Sequence, residues 1–287
     1  MQYSENKYRY KVISADKAEA KKSALNGYQY LFWLFNERRL IGTLIKYELK
    51  RAILETKLSY LWWILDPLLK LFCYIFLMLV FGRKTIDGVP YALFIMLAIF
   101  PWNFMSKCIN DSVNVWTRYE QIIGQIRFPY MALLISSLLS EFVLYMLSFA
   151  LIILACFYFN LNLTVSWFSL AFIFFYQLIL CMALMLLNSF ISFLFFDYRK
   201  LLPFILNIWF FCSPALWPLS KLSPTAREVF EVNPAVFIFE NMRRVILYHM
   251  PVNYEQFDVY VIPVTLLLIF SYMFFVSRES YINRYVK

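Results

Sequence analysis

Few side chains in this sequence can ionise, attack or ligate, and most of those sit within or beside apolar runs. Asp66 and Lys70 stand four residues apart in the apolar stretch 61–81. One helical turn separates them, so each can neutralise the other where an isolated charge would be costly. Glu141 is the charged residue of another apolar run, about 132–159. An acid there must face protein or water, and hydrogen-bonded packing is the plain expectation for it. The single histidine, His249, has no metal-ligand partners clustered around it. Cys73, Cys108, Cys156, Cys181 and Cys212 lack CxxC spacing, which argues against a zinc site or a disulfide framework. Five glycines and no GxxxxGK[ST] pattern exclude a phosphate-binding loop. The sequence therefore predicts no catalytic residue, no metal site and no ATP hydrolysis by this chain.

The polar residues with a usable pattern lie in Arg118 to Met131, RYEQIIGQIRFPYM, a charged segment between two long apolar runs. Ile122, Ile123, Ile126 and Phe128 recur at roughly helical spacing, while Arg118, Glu120, Gln121, Gln125 and Arg127 point elsewhere. That spacing predicts a short amphipathic helix over about 118–129, stopped by Pro129. A solvated loop with a helical turn is the alternative. Tied at both ends to membrane spans, such a helix can carry a force from a soluble partner into the bilayer.

The elements that would position this segment follow from composition. Mean hydropathy is +0.62 and 62% of residues are hydrophobic, well above the 45–50% or so of a soluble domain. The chain reads as an all-α polytopic membrane protein. Its net charge of +9 invites a nucleic-acid reading, but basic residues in membrane proteins gather on the cytoplasmic side facing anionic lipid. Residues 1–27 are polar and expected to be flexible, with no cleavable signal peptide in view. Residues 28–60 mix rings with cations, Tyr30, Phe32, Trp33 and Phe35 preceding Arg38 and Arg39, as in a helix lying in the membrane interface.

Six spans are expected, at about 61–81, 91–106, 132–159, 167–196, 201–217 and 259–276. Residues 219–258 hold apolar clusters broken by Pro224, Pro234 and Pro251, which predicts two short helices dipping into the outer leaflet or capping the bundle, at about 220–250. Residues 278–287 form a basic tail. With that arrangement one side carries twenty Lys and Arg and the other six, which puts both termini and the 118–131 segment in the cytoplasm.

Taken together, the pattern resembles the membrane subunit of ABC-2 type exporters, in the branch that moves O-antigen, teichoic acid or capsule chains. The likeness rests on LSYLWWILDPLL (58–69), IIGQIRFPYMALLISSLL (122–139), LLPFILNIWFFCSPALWP (201–218) and VNPAVFIFENMRRVIL (232–247), four segments in order over about 28–280. One departure is the order Phe196, Asp197, Tyr198, Arg199 where that family often has Phe-Arg-Asp, so no role is transferred to those charges.

The resemblance implies a homodimer in the bacterial cytoplasmic membrane with two copies of a separate ATPase subunit. ATP and Mg would be held by that partner, and this chain would bind no cofactor. The cargo would be a lipid-linked polysaccharide. Glu120, Gln121, Ile122, Gln125 and Arg127 would couple to the ATPase, and Asn233, Pro234, Glu240 and Arg243 would belong to the external gate.

A sugar polymer needs a conduit lined by ring faces, and 21% of residues are aromatic. Tyr74, Trp209, Phe210 and Trp217 are the lining candidates, against ordinary packing or lipid contact. Arg38, Arg39, Lys57 and Lys70 are placed to meet a lipid headgroup or carrier diphosphate, against general attraction to anionic lipid. An ABC-2 drug or lipid efflux permease and a membrane-embedded glycosyltransferase or acyltransferase are the competing readings.

Overall fold

The computed structural model describes residues 27–54, 61–80, 85–86, 88–123, 125, 128–161, 164–254 and 257–285. Gly27–Asn36 (α1) and Arg38–Leu54 (α2) form the amphipathic entry. The expected single interface helix is thus broken at Glu37. Leu61–Val80 (α3) follows.

A small antiparallel ribbon of Thr85–Ile86 (β1) and Val89–Pro90 (β2) departs from an all-helical fold. The cause is local: Asp-Gly between β-branched residues favours a two-residue hairpin, and Gly88 takes the required positive φ of 80°.

Tyr91–Val113 (α4), Met131–Tyr158 (α7), Leu170–Leu194 (α8) and Phe257–Tyr285 (α12) form the bundle. Between α4 and α7 lie two one-turn helices, Val115–Arg118 (α5) and Glu120–Ile123 (α6). Tyr198–Phe211 (α9), Pro224–Glu231 (α10) and Pro234–Ile246 (α11) complete the order.

Among the described residues, four helices are long and apolar enough to cross a membrane: Tyr91–Val113, Met131–Tyr158, Val165–Leu194 and Phe257–Glu279. The 20 residues of α3 match the length needed for about 30 Å of hydrocarbon. By contrast α9 has 14 residues, about 21 Å of helix. The span expected over 201–217 is therefore shorter than its apolar run, because Pro214 lacks the N–H that would continue the helix and disfavours helical backbone at Ser213 before it.

At the other end, α12 runs on through most of the segment expected to be a separate basic tail. A buried stripe of Phe275, Glu279 and Ile282 carries it there.

The bundle is organised around α4, 78% of whose apolar stretch is buried, against 22% for α12. It packs on α7, α8 and α11, while α12 packs on α8 and α2 on α7. Pro101 lies inside α4, and Gln177 of α8 donates to its carbonyl at 2.9 Å, tying the two helices together at that level. Lys107 of α4 meets Glu141 of α7 at 2.9 Å. The acid that is solitary in sequence therefore has a partner 34 residues away, one that helical spacing cannot reveal.

Helix starts at the other end obey local rules. Asn233 caps α11 by accepting from Ala235 N at 3.0 Å, and Ser223 caps α10, each followed by a proline in the first turn.

Candidate functional site

The 118–131 segment is two one-turn helices and a loop instead of the single helix expected over about 118–129. Tyr119 breaks the helical path between them with φ −111° and ψ 15°. Gly124 and Pro129 in the sequence disfavour a longer helix. Glu120, Gln121 and Gln125 are exposed and Ile122 is half-buried, while Ile123 and Phe128 are buried. Arg127 lies outside the described residues.

Each end of the segment is held by long-range contacts. On the entry side, the Arg118 guanidinium donates to Asp111 Oδ1 at 2.6 Å and to Glu48 Oε1 of α2 at 3.1 Å. The Tyr119 hydroxyl donates to the same Glu48 oxygen. Trp116 Nε1 donates to the Ser189 carbonyl of α8 at 2.7 Å, and Arg199 of α9 reaches Thr117 Oγ1 at 3.2 Å.

Burial opposes the charge on Arg118, but the Asp111 and Glu48 carboxylates outweigh it and raise its pKa above the ordinary guanidinium value. Burial, with the Glu48 charge, pushes the Tyr119 phenol up as well. The cluster sets two acidic side chains around one guanidinium, with the Tyr119 phenol donating into it. On the exit side, the Tyr130 N–H donates to Glu279 Oε1 of α12 at 2.8 Å.

The second cluster lies where α9, α10 and α11 meet. Arg243 is 1% exposed. Its guanidinium donates to the carbonyls of Pro214 at 2.9 Å and Ala215 at 2.7 Å, pairs with Glu240 at 2.8 Å, and lies 3.5 Å from the centre of the Phe94 ring. A planar cation with five donors suits this position, because it satisfies carbonyls left open by the broken end of α9 and stacks on an aromatic face. Asn233 Oδ1 accepts from Trp209 Nε1 at 2.9 Å, and Asn233 Nδ2 donates to Ser213 Oγ at 2.7 Å. The Pro234 carbonyl accepts from the Tyr176 hydroxyl at 3.4 Å. All four residues expected at the gate, Asn233, Pro234, Glu240 and Arg243, are brought together at α11 and its cap.

The other expected residues fall as follows. Trp209 and Phe210 pack on Trp102 of α4, ring centres 5.2 and 5.4 Å away, as a cluster between helices. Trp217 packs edge-on against Phe230 at 5.2 Å. Arg38 and Arg39 are exposed on α2. Arg38 edges a shallow apolar groove of about 480 Å³ that includes Tyr28, Phe32 and Phe35. Lys57 lies outside the described residues, as do the side chains of Lys70 and Tyr74. Glu48 and Glu279 do not stand out in the sequence, although each continues a buried stripe at helical spacing: Leu44 precedes Glu48, and Phe275 precedes Glu279, by one turn.

A model of the ABC-2 type transporter family matches residues 39–247. The chain belongs to that family. Both polar clusters fall within or against the matched region. The ABC-2 assignment makes this a multi-pass membrane subunit of a transporter that works with an ATPase partner. Among curated proteins, the chain is 25% identical over 253 residues to the O-antigen export system permease protein RfbA of Myxococcus xanthus, covering 86% of this chain and 96% of that one. It is 21% identical over 221 residues to a protein of the same name from Klebsiella pneumoniae, covering 77% and 84%.

Proposed function

We propose that this chain is the permease subunit of an ABC exporter that moves a lipid-linked, O-antigen-like polysaccharide across the bacterial cytoplasmic membrane. The observation that carries the reading is end-to-end correspondence, over 96% of its length, with a permease named for O-antigen export. The functional unit is a homodimer with two ATPase subunits, six spans per copy and both termini in the cytoplasm, as the twenty-to-six distribution of Lys and Arg supports. The exposed stripe of Leu201, Phe204, Ile208 and Phe211 on α9 suits a second copy or a conduit better than lipid, because 14 residues are too few to meet the whole hydrocarbon thickness.

Glu120, Gln121, Ile122, Gln125 and Arg127 take the thrust of the ATPase. Ring faces at Tyr74 and Trp217 suit the sliding of sugar C–H surfaces. Arg38, Arg39, Lys57 and Lys70 suit the carrier's phosphate groups. Trp209 and Phe210 brace the break after α9, which α11 closes from outside through Asn233, Pro234, Glu240 and Arg243.

Cells lacking this chain are expected to lose their surface glycan and to accumulate the lipid-linked form inside, with both reversed on re-expression. Surface glycan at the normal level in such cells, measured by extraction and sugar analysis, would contradict the proposal.

A further inference from the structure

Glu279 is a buried acid to which the proposed transport cycle gives no role. It is 8% exposed, near the C-terminal end of α12 and on the same face as Phe275 and Ile282. A carboxylate in such a place is costly unless it is used as an acceptor. Glu279 accepts the Tyr130 N–H at 2.8 Å, across 149 residues of sequence. Tyr130 is the last residue before α7 and closes the coupling segment.

A third element joins at the same point. The Tyr30 ring of α1 is 1% exposed. Its phenol oxygen accepts the next N–H, that of Met131, at 3.4 Å, and it stands beside the Glu279 carboxylate. Tyr30 also packs on Tyr272 of α12, whose hydroxyl donates to the Gly27 carbonyl at 2.6 Å. Two consecutive N–H groups at the start of α7, which have no partner within their own helix, are thus taken up by side chains from the first and last described helices.

We infer that Glu279 is a positioning residue for energy coupling. It clamps the exit of the coupling segment to α12 and α1, so that displacement of Glu120, Gln121 and Gln125 is delivered to the last span as well as to α7. The entry is fastened separately, through Arg118 and Glu48, to α2. A segment held at both ends and exposed in the middle passes on a push, where one held at a single end would swing. This rests on the coupling role proposed above for residues 120–127.

The test uses the full chain with its ATPase partner in liposomes, with lipid-linked glycan extracted from the producing cells as the probe. ATP hydrolysis and glycan translocation are measured side by side. Glu279→Ala removes the acceptor and is expected to lower glycan moved per ATP about tenfold while hydrolysis stays within about twofold of normal. Glu279→Gln retains an oxygen that accepts from Tyr130 and is expected to restore most of the ratio. If the alanine variant does not assemble, Tyr30→Phe decides, with an expected fall of about threefold.

A normal ratio in the deciding variant, or equal loss of hydrolysis and transport, would overturn the inference. Bulky charges at Gln121 and Gln125 separate the two levels. If they leave the ratio intact, the coupling segment itself is misassigned; if they abolish it while Glu279→Ala does not, only the clamp fails.

Discussion

At the scale of single residues, the deciding groups are charges that a membrane protein tolerates only when each is answered. Arg243 has the most to lose, being nearly fully buried with two backbone carbonyls, an acid and a ring as neighbours. Its pair with the half-exposed Glu240 contributes little, since that carboxylate is partly in water. The larger effect is the desolvation of the Pro214 and Ala215 carbonyls if the guanidinium is removed. Arg243→Ala is expected to cost about 3–5 kcal/mol of stability, and Arg243→Lys less, because one ammonium reaches fewer acceptors. Thermal unfolding of the purified protein checks this; a loss under about 1 kcal/mol for alanine would mean that water reaches those carbonyls.

Arg243 was legible as part of a motif, with Asn233, Pro234 and Glu240. What it binds was not, because Phe94 and Pro214 lie 149 and 29 residues away and no periodicity connects them. Glu279 was hidden in a segment whose basic residues dominate its look, and Glu48 in one that reads as lipid-facing.

At the scale of elements, hydrophobic runs gave the helices of the bundle, because length and apolarity alone make a helix in hydrocarbon, but α4 and α12 run on past their expected ends to Val113 and Tyr285. Expectation and structure part where the backbone chemistry changes. The run at 201–217 is predominantly apolar, yet its helix stops at Phe211 ahead of the Ser-Pro step. The 118–131 segment has helical spacing, yet Tyr119 divides its first half into single turns that tertiary contacts must hold.

Those contacts make a prediction about α2. Glu48 and Arg118 join it to the segment, so their substitutions to alanine are expected to be non-additive by about 1–2 kcal/mol in a double-mutant cycle of thermal stability. Additive costs would show that α2 and the segment move independently, and the interface helix would lose its place in force transmission.

At the scale of the molecule, two polar clusters sit at opposite ends of an apolar bundle, and α4, α7 and α8 run between them. The entry and exit of the 118–131 segment are fixed to α2, α8 and α12, and at the far end Arg243 fixes α11 to α4 and to the break after α9. A displacement at one end therefore meets packed helices, the arrangement expected of a subunit driven from outside itself. The distribution of charge and the four recurring segments made this class legible from sequence. The fastenings were not, because each joins residues from distant parts of the chain.

The most direct measurement is ATP hydrolysis by the ATPase partner copurified with this chain in lipid, with and without lipid-linked glycan from the producing cells, beside a variant carrying bulky charges at positions 121 and 125. The expected result is a stable complex whose turnover responds to the glycan and loses that response, by about tenfold or more, in the variant. A chain that copurifies with no ATPase, or turnover indifferent to both the glycan and the altered segment, would contradict the coupling role and the exporter reading built on it.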